Sequence, residues 1–418
     1  MQVSKMAGSL IGSEIIKIGN EVSERVRQGE AICNLTIGDF DPAIFPIPAG
    51  LATGITEAYQ AGFTNYPPAN GIAELRQAAS AFLKSRLGLD YSANDFLVAG
   101  GSRPLIYACY RAIVDPGDRV VFPLPSWNNN HYCHLTGATP VAVPTRPEND
   151  FMPTAAELAP HLAGATLLAL CSPLNPTGTV FQRQDLEEIC DLVLAENQRR
   201  GPDEKPLYVL YDQIYWLLTF GDTQHYDPIS LRPELRDYVL YIDGISKCFA
   251  ATGVRVGYSF GPAHIIDKMK SILGHVGAWA PKAEQVATAK FLPQASAVDE
   301  YLAGFKADIQ RTLTALHAGL QEMKAQGYPV DSIAPAGAIY LTIQLDVLGR
   351  TAPNGQMLAT SKDLAFYLIA QANLALVPFS AFGTEPTEPW FRASVGAETL
   401  ESIQSALPRL KAALDGLR

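Results

Sequence analysis

Between about positions 95 and 260 the chain alternates short apolar, β-branched runs with longer segments whose apolar residues fall three and four apart. Seven runs have strand length and content: FLVAG (96–100), RVVFP (119–123), TPVAV (139–143), TLLALC (166–171), LYVLYD (207–212), YVLYID (238–243) and RVGYSF (255–260). Several are apolar throughout, as expected of strands covered on both faces. RPLIYACYRAIV and RQDLEEICDLVLAENQRR between them carry the helical period. The rhythm predicts an α/β fold: a mostly parallel seven-stranded sheet with helices on both faces. DPGD (115–118) and SPLNPTG (172–178) are turn-rich and adjoin strands. They place polar residues at the sheet ends, where α/β ligands bind.

After about 298 the pattern changes to a long helical stretch, YLAGFKADIQRTLTALHAGLQEMKAQ, and then to strands such as AIYLTIQL and LALVP mixed with helices. This reads as a smaller α+β domain. The 418 residues exceed one ordinary core. The expected division is an N-terminal arm with part of the small domain (1–48), a large ligand-binding domain (49–297) and a small C-terminal domain (298–418). No fixed repeat and no low-complexity linker interrupts them.

Composition narrows the function classes. With 48% hydrophobic and 18% charged residues the chain is globular. A net charge of −10 without a Lys/Arg stripe argues against nucleic acid or an anionic membrane as partner. No apolar run approaches the roughly 18 residues of a membrane span, and the N-terminal MQVSKMAGSLIGSEIIKIGNEVSERV has polar residues at helical spacing. The expectation is a cytoplasmic protein without a secretory signal. Cysteines 33, 109, 133, 171, 190 and 248 stand singly, which fits small buried side chains in a reducing compartment. The histidines show no metal-ligand spacing, so no metal is expected.

The strongest chemical signal is Ser246-Lys247-Cys-Phe-Ala-Ala-Thr-Gly253-Val-Arg255-Val-Gly257-Tyr258, which follows one apolar strand and runs into the next. A lysine placed there is desolvated, and nearby cations favour its neutral amine, the form that attacks an aldehyde. Ser246 and Arg255 beside it suit a phosphate, since guanidinium binds phosphate oxygens by paired hydrogen bonds. Gly100-Gly101-Ser102-Arg103 precedes a helical segment with Pro104 at its start. Such a helix N-terminus cradles anions, with Gly101, Ser102 and Arg103 as phosphate ligands. Asp212 ends a strand, where a carboxylate can pair with a protonated ring nitrogen or, more plainly, close a turn. Asn175 lies among turn residues that could explain it alone.

Together these loops resemble the class I/II aminotransferases, fold-type I enzymes dependent on pyridoxal phosphate, over nearly the whole chain. The family's S-K-x5-G-x-R-x-G-Y motif is matched at every named position, which implies that Lys247 holds the cofactor as a Schiff base and that Ser246 and Arg255 bind its phosphate. By the same resemblance, Asp212 with Tyr215 matches D-x-x-Y, the carboxylate facing the pyridine nitrogen and the phenol facing the ring oxygen. Asn175 matches the N-P-T-G loop, whose amide meets the same oxygen. Trp127 resembles the residue stacked on the ring. Tyr66 matches Y-x-P-x-x-G-x-x-x-L-R and would reach the phosphate in the neighbouring subunit, implying a homodimer with shared sites. Arg392 resembles the arginine gripping the substrate α-carboxylate, and Gly38 the glycine of the N-terminal substrate loop.

The chain departs from the family pattern in places. Val377-Pro378-Phe379 stands where a glycine often precedes S-x-F-G, GDFDP replaces the commoner GEPDF, and 271–285 lacks an arginine that some dicarboxylate-specific members carry. Trp279, His275 and Asn128 to Asn130 are candidates for shaping the pocket. The resemblance implies ping-pong transfer of an amino group from an amino acid to a 2-oxo acid, aspartate-like or broad in specificity, with the freed Lys247 amine moving a proton between the substrate Cα and the cofactor. Two alternatives stay open: a pyridoxal-phosphate lyase built on the same residues, and a non-catalytic cofactor-binding regulator.

Overall fold

The computed structural model describes residues 3–10, 12 and 14–418; positions 1, 2, 11 and 13 of the expected N-terminal arm lie outside the described residues. Among the described residues thirteen strands follow in chain order: β1 (Cys33–Asn34), β2 (Phe96–Ala99), β3 (Arg119–Leu124), β4 (Thr139–Pro144), β5 (Ala165–Cys171), β6 (Tyr208–Asp212), β7 (Val239–Gly244), β8 (Gly257–Phe260), β9 (Val330–Ser332), β10 (Tyr340–Leu345), β11 (Leu374–Ala375), β12 (Val377–Pro378) and β13 (Trp390–Ser394).

The seven apolar runs all enter one seven-stranded sheet, ordered β2-β8-β7-β6-β5-β3-β4. Only β8 runs against its neighbours; the other pairings are parallel. Alternate residues serve two cores. Leu97, Val120, Leu167, Leu210 and Ile242 pack with the helices Ser102–Ile113 and Ala263–Val276 on one face. Val98, Val121, Leu168, Val209 and Tyr241 pack with Ala73–Leu87 and Arg183–Arg200 on the other. Two apolar faces explain why the strands read as continuous rather than alternating. The last run is shorter than its sequence pattern. Thr252–Val254 forms a 3₁₀ turn and Arg255 adopts φ 59°, so the ladder begins at Gly257.

Past residue 298 the elements are mixed, as expected. A 31-residue helix, Ala295–Ala325, contributes Val298 and Leu302 to one of the large sheet's two cores and Ile309, Leu313 and Leu320 to a third. That third core lies against the antiparallel sheet β12-β13-β10-β9. The run LALVP is not one strand. Its first half, β11, pairs in parallel with β1, while β12 joins β13. Helix ends follow their capping residues: Thr360 accepts from the Asp363 N–H, Asp363 takes the Thr360 N–H in return, and Asn373 closes the helix at φ 47°. All six cysteines are free, and five are buried. Among the described residues no helix is long and apolar enough to cross a membrane.

Candidate active site

A cavity of about 870 Å³ opens at the carboxyl ends of β3, β5, β6 and β7, the position where open α/β sheets bind ligands. Gly38, Tyr340 and Arg392 close it from the side of the smaller sheet, and Leu10, Gly12 and Ile15 from the N-terminal segment.

One wall is built for an anion. The helix Ser102–Ile113 starts without a side-chain cap, after Gly101 at φ 93°. Its first N–H groups therefore keep their partial positive charge for another acceptor. The Ser102 hydroxyl is buried without a hydrogen-bond partner. Arg255 donates to the Thr252 and Gly100 carbonyls, both at 2.7 Å, which fixes its guanidinium beside this turn. Two glycines are needed for that approach. A Cβ on Gly101 would stand 2.1 Å from Arg255 Nη2, and one on Gly257 would stand 2.6 Å from the Gly101 carbonyl carbon. Ser246, 7% exposed, lines the same cavity.

Lys247 follows β7 by three residues, and its Nζ donates to the Gly38 carbonyl at 2.6 Å. Burial pushes its ammonium down to about 8; Asp39 opposes the shift, and Arg392, Arg103 and Arg255 add to it. An appreciable neutral fraction near neutral pH makes this amine a nucleophile and a proton carrier.

Asp212 ends β6, opposite Cys171 in register, with its carboxylate accepting from the Ile214 N–H at 3.1 Å. Burial raises it to about 6 against the pull of that N–H and of Lys247. Tyr215, one short turn on, shares a 2.6 Å hydroxyl–hydroxyl hydrogen bond with Tyr340. Arg392, on β13 and 2% exposed, donates to Asn175 Oδ1 at 3.1 Å and to the Thr36 carbonyl at 2.7 Å. Its Nε is buried and unpartnered, and its guanidinium lies between the rings of Tyr340 and Phe382, 4.8 and 5.0 Å from their centroids. Burial lowers its pKa, opposed by the two tyrosines.

Of the residues singled out from sequence, Gly38, Ser102, Arg103, Trp127, Asn175, Asp212, Tyr215, Ser246, Lys247, Arg255 and Arg392 all face this cavity. Gly101 lies behind its wall, in contact range of Arg255. Tyr66 stays outside: it is 79% exposed, with its ring edge-on to Trp279 at 5.1 Å. The Arg103 guanidinium lies 4.8 Å from the Trp127 ring centroid. Among the pocket-shaping candidates, Asn128 and Asn129 line the cavity, whereas Asn130, Trp279 and His275 do not. Phe379 is buried against Phe151 at 5.3 Å, and the turn it begins delivers Phe382 beneath Arg392.

Asp39, Tyr340, Thr252 and Phe382 were not found from sequence. Asp39 stands next to Gly38, so adjacency was a usable signal. Tyr340 had none, being one apolar-run tyrosine among several.

A family described as aminotransferase class I and II matches residues 30–410. The chain belongs to that family. The aminotransferase is 30% identical over 402 residues to a probable aspartate/prephenate aminotransferase of Rhizobium leguminosarum bv. phaseoli, covering 96% of this chain and 95% of the relative. It is 32% identical to a bifunctional aspartate aminotransferase and glutamate/aspartate-prephenate aminotransferase of Petunia hybrida, covering 99% and 83%. The solved aspartate aminotransferase of Rhizobium meliloti superposes with a TM-score of 0.89 at 28% identity over the full length of both chains. That of Thermus thermophilus, solved with maleate, gives 0.87 at 26% identity over 99% of this chain and 100% of the other. The fold is type I, the activity is transamination and the cofactor is pyridoxal 5'-phosphate. The site fits that cofactor: an uncapped helix start, an orphaned serine hydroxyl and an arginine for the phosphate, and a half-buried carboxylate for the ring nitrogen.

Proposed function

We propose that the aminotransferase transfers the amino group of an L-amino acid to a 2-oxo acid with aspartate-like or broad specificity, and that Lys247 is its Schiff-base lysine. The observation that carries this reading is the placement of one half-buried amine, its pKa lowered to about 8, in the same cavity as Asp212, Asn175 and Arg392. Ser102, Ser246 and Arg255, with the backbone of Arg103, hold the phosphate. Asp212 faces the ring nitrogen, Asn175 and Tyr215 face the ring oxygen, and Trp127 lies along the ring. When bound, the cofactor withdraws electrons from the substrate Cα and so loosens its proton. Lys247 Nζ takes that proton and returns it on the cofactor side. Arg392 fixes the α-carboxylate through the N–H groups that Thr36 and Asn175 leave free.

A dicarboxylate preference is supported by a further cation at the cavity. Arg103 lies against Trp127 and has no carboxylate partner among the described residues, which leaves it able to meet a distal carboxylate. The Thermus thermophilus relative was solved with maleate, itself a dicarboxylate. Tyr66, exposed and outside its own cavity, supports a homodimer in which each site takes Tyr66 of the partner subunit. A large domain (49–297) and a small one (298–418), with 1–48 as an arm and part of the small one, are supported by the separate core of the smaller sheet, which takes in Cys33, Leu35 and Phe40. Six free cysteines suit a cytoplasmic location.

Borohydride reduction of the cofactor-loaded protein, followed by peptide mass analysis, tests the central assignment. The adduct is expected on the peptide containing Lys247, and an adduct elsewhere rejects it. A donor panel with 2-oxoglutarate then ranks substrates; release of pyruvate and ammonia without conversion of the cofactor to its amine form would mark a lyase instead.

A further inference from the structure

We propose that Tyr340 is a positioning residue for the cofactor's ring oxygen: its hydroxyl donates to Tyr215, so that the Tyr215 hydrogen is turned outward and its O–H is strengthened as a donor. The inference rests on the proposed role of Tyr215 and assigns a function to a residue of the smaller sheet.

The geometry comes from proton counting. Two phenols 2.6 Å apart share one hydrogen bond but own two hydrogens. Among the described residues neither hydroxyl has another hydrogen bond, so one hydrogen is left for the cavity both residues line. Which tyrosine keeps it depends on which is the better donor. Arg392 lies 4.8 Å from the Tyr340 ring and draws charge from that phenol. Both phenols are raised by burial, and Arg392 opposes that rise, more strongly on Tyr340, whose ring it faces. The guanidinium beside its ring makes Tyr340 the natural donor within the pair. The other groups acting on the two phenols are Cys171 from β5 and Asp39 from the N-terminal loop, both of which disfavour ionisation. Lys247 Nζ faces the Tyr215 ring at 5.8 Å.

Gly38 keeps the arrangement tight, since a Cβ there would meet the Tyr340 hydroxyl at 3.0 Å. Tyr340 is also held from behind, opposite Ser394 in the β10–β13 ladder that carries Arg392 two residues away. The ordered chain therefore runs Arg392, Tyr340, Tyr215.

The test is a pH titration of the cofactor's visible absorbance in the loaded enzyme, for the parent, Tyr340→Phe, Tyr215→Phe and the double variant. Phenylalanine keeps the ring that packs on Arg392, so only the hydroxyl is lost. Donation to the ring oxygen favours its anion and lowers the pKa of the adjoining imine. Chained hydrogen bonds strengthen one another by roughly 10–30% per bond, so Tyr340→Phe should raise that pKa by roughly 0.1–0.7 unit. Tyr215→Phe should raise it further, and the double variant should match Tyr215→Phe alone. A Tyr340→Phe curve that overlays the parent, or a double variant whose shift is the sum of the two, overturns the inference and leaves the Lys247 assignment standing. A parent with no titrating band at all overturns both.

Discussion

Arg392 offers the most direct measurement of how this cavity holds its substrate. Its guanidinium is 2% exposed, and its five N–H groups divide cleanly. One from each Nη is committed, to the Thr36 carbonyl and to Asn175. The Nε hydrogen has no partner, which leaves it and the second hydrogens of the two Nη atoms for a carboxylate. Arg392→Lys keeps the charge and loses the fork. At least one charge-assisted hydrogen bond, worth about 1.5–3 kcal/mol, disappears. At 1.36 kcal/mol per decade, kcat/KM for an amino acid should fall roughly 10- to 150-fold. Stopped-flow conversion of the loaded cofactor to its amine form measures this, with a matched amine lacking the carboxylate as control. That amine should react equally with parent and variant, and the cofactor should load equally. If both substrates slow by the same factor, or the amino acid changes less than threefold, Arg392 does not hold the carboxylate and the reasoning fails.

Three further outcomes follow from the same geometry. Gly101→Ala places a Cβ 2.1 Å from Arg255 Nη2, so the guanidinium must move off the phosphate wall and pyridoxal phosphate affinity by absorbance titration should drop; separately, an alanine at φ 93°, ψ 179° costs about 1–3 kcal/mol of folded stability and should lower Tm. Asp212 in the cofactor-free protein is raised to about 6, so its anion, needed to pair with the ring nitrogen, is lost as pH falls through that value. Cofactor affinity should decline below pH 6 more steeply in the parent than in Asp212→Asn, which retains only the phosphate's own titration; parallel curves would exclude the pairing. Asp243, 1% exposed beneath the site, accepts from Gln213, Trp216 and Gly244, and burial raises it from 3.8 to about 8. Between those values the folded state holds a proton that the unfolded chain has released, so this carboxyl's contribution is favourable below pH 4 and is lost as pH rises towards 8. Asp243→Asn should flatten the slope of Tm against pH across that window in the cofactor-free protein.

How far the molecule was legible in its sequence differs from residue to residue. The segment 246–258 announces itself because all its parts are local: an apolar strand, a lysine, small residues and a returning arginine within thirteen positions. Even there, the sequence did not show why Gly257 must be glycine. That depends on β8 pairing with β2, which sets Gly257 opposite Ala99 and presses it against Gly101. LALVP misled for a related reason. Its apolar content was read correctly, but whether one or two sheets received it was settled by β1 and β13, far away in sequence.

By itself the sequence determined the seven strands of the large sheet, their two-sided burial and the run of residues around Lys247, because hydrophobic period and turn chemistry act over neighbouring positions. Tertiary structure alone decided that Thr36, Asn175 and Arg392 meet, that Tyr340 touches Tyr215 across 125 residues, and that Tyr66 faces away from its own cavity. Those contacts arise when separate ladders and cores close on one another. A side chain's partner across such a closure leaves no periodic trace in the chain that carries it.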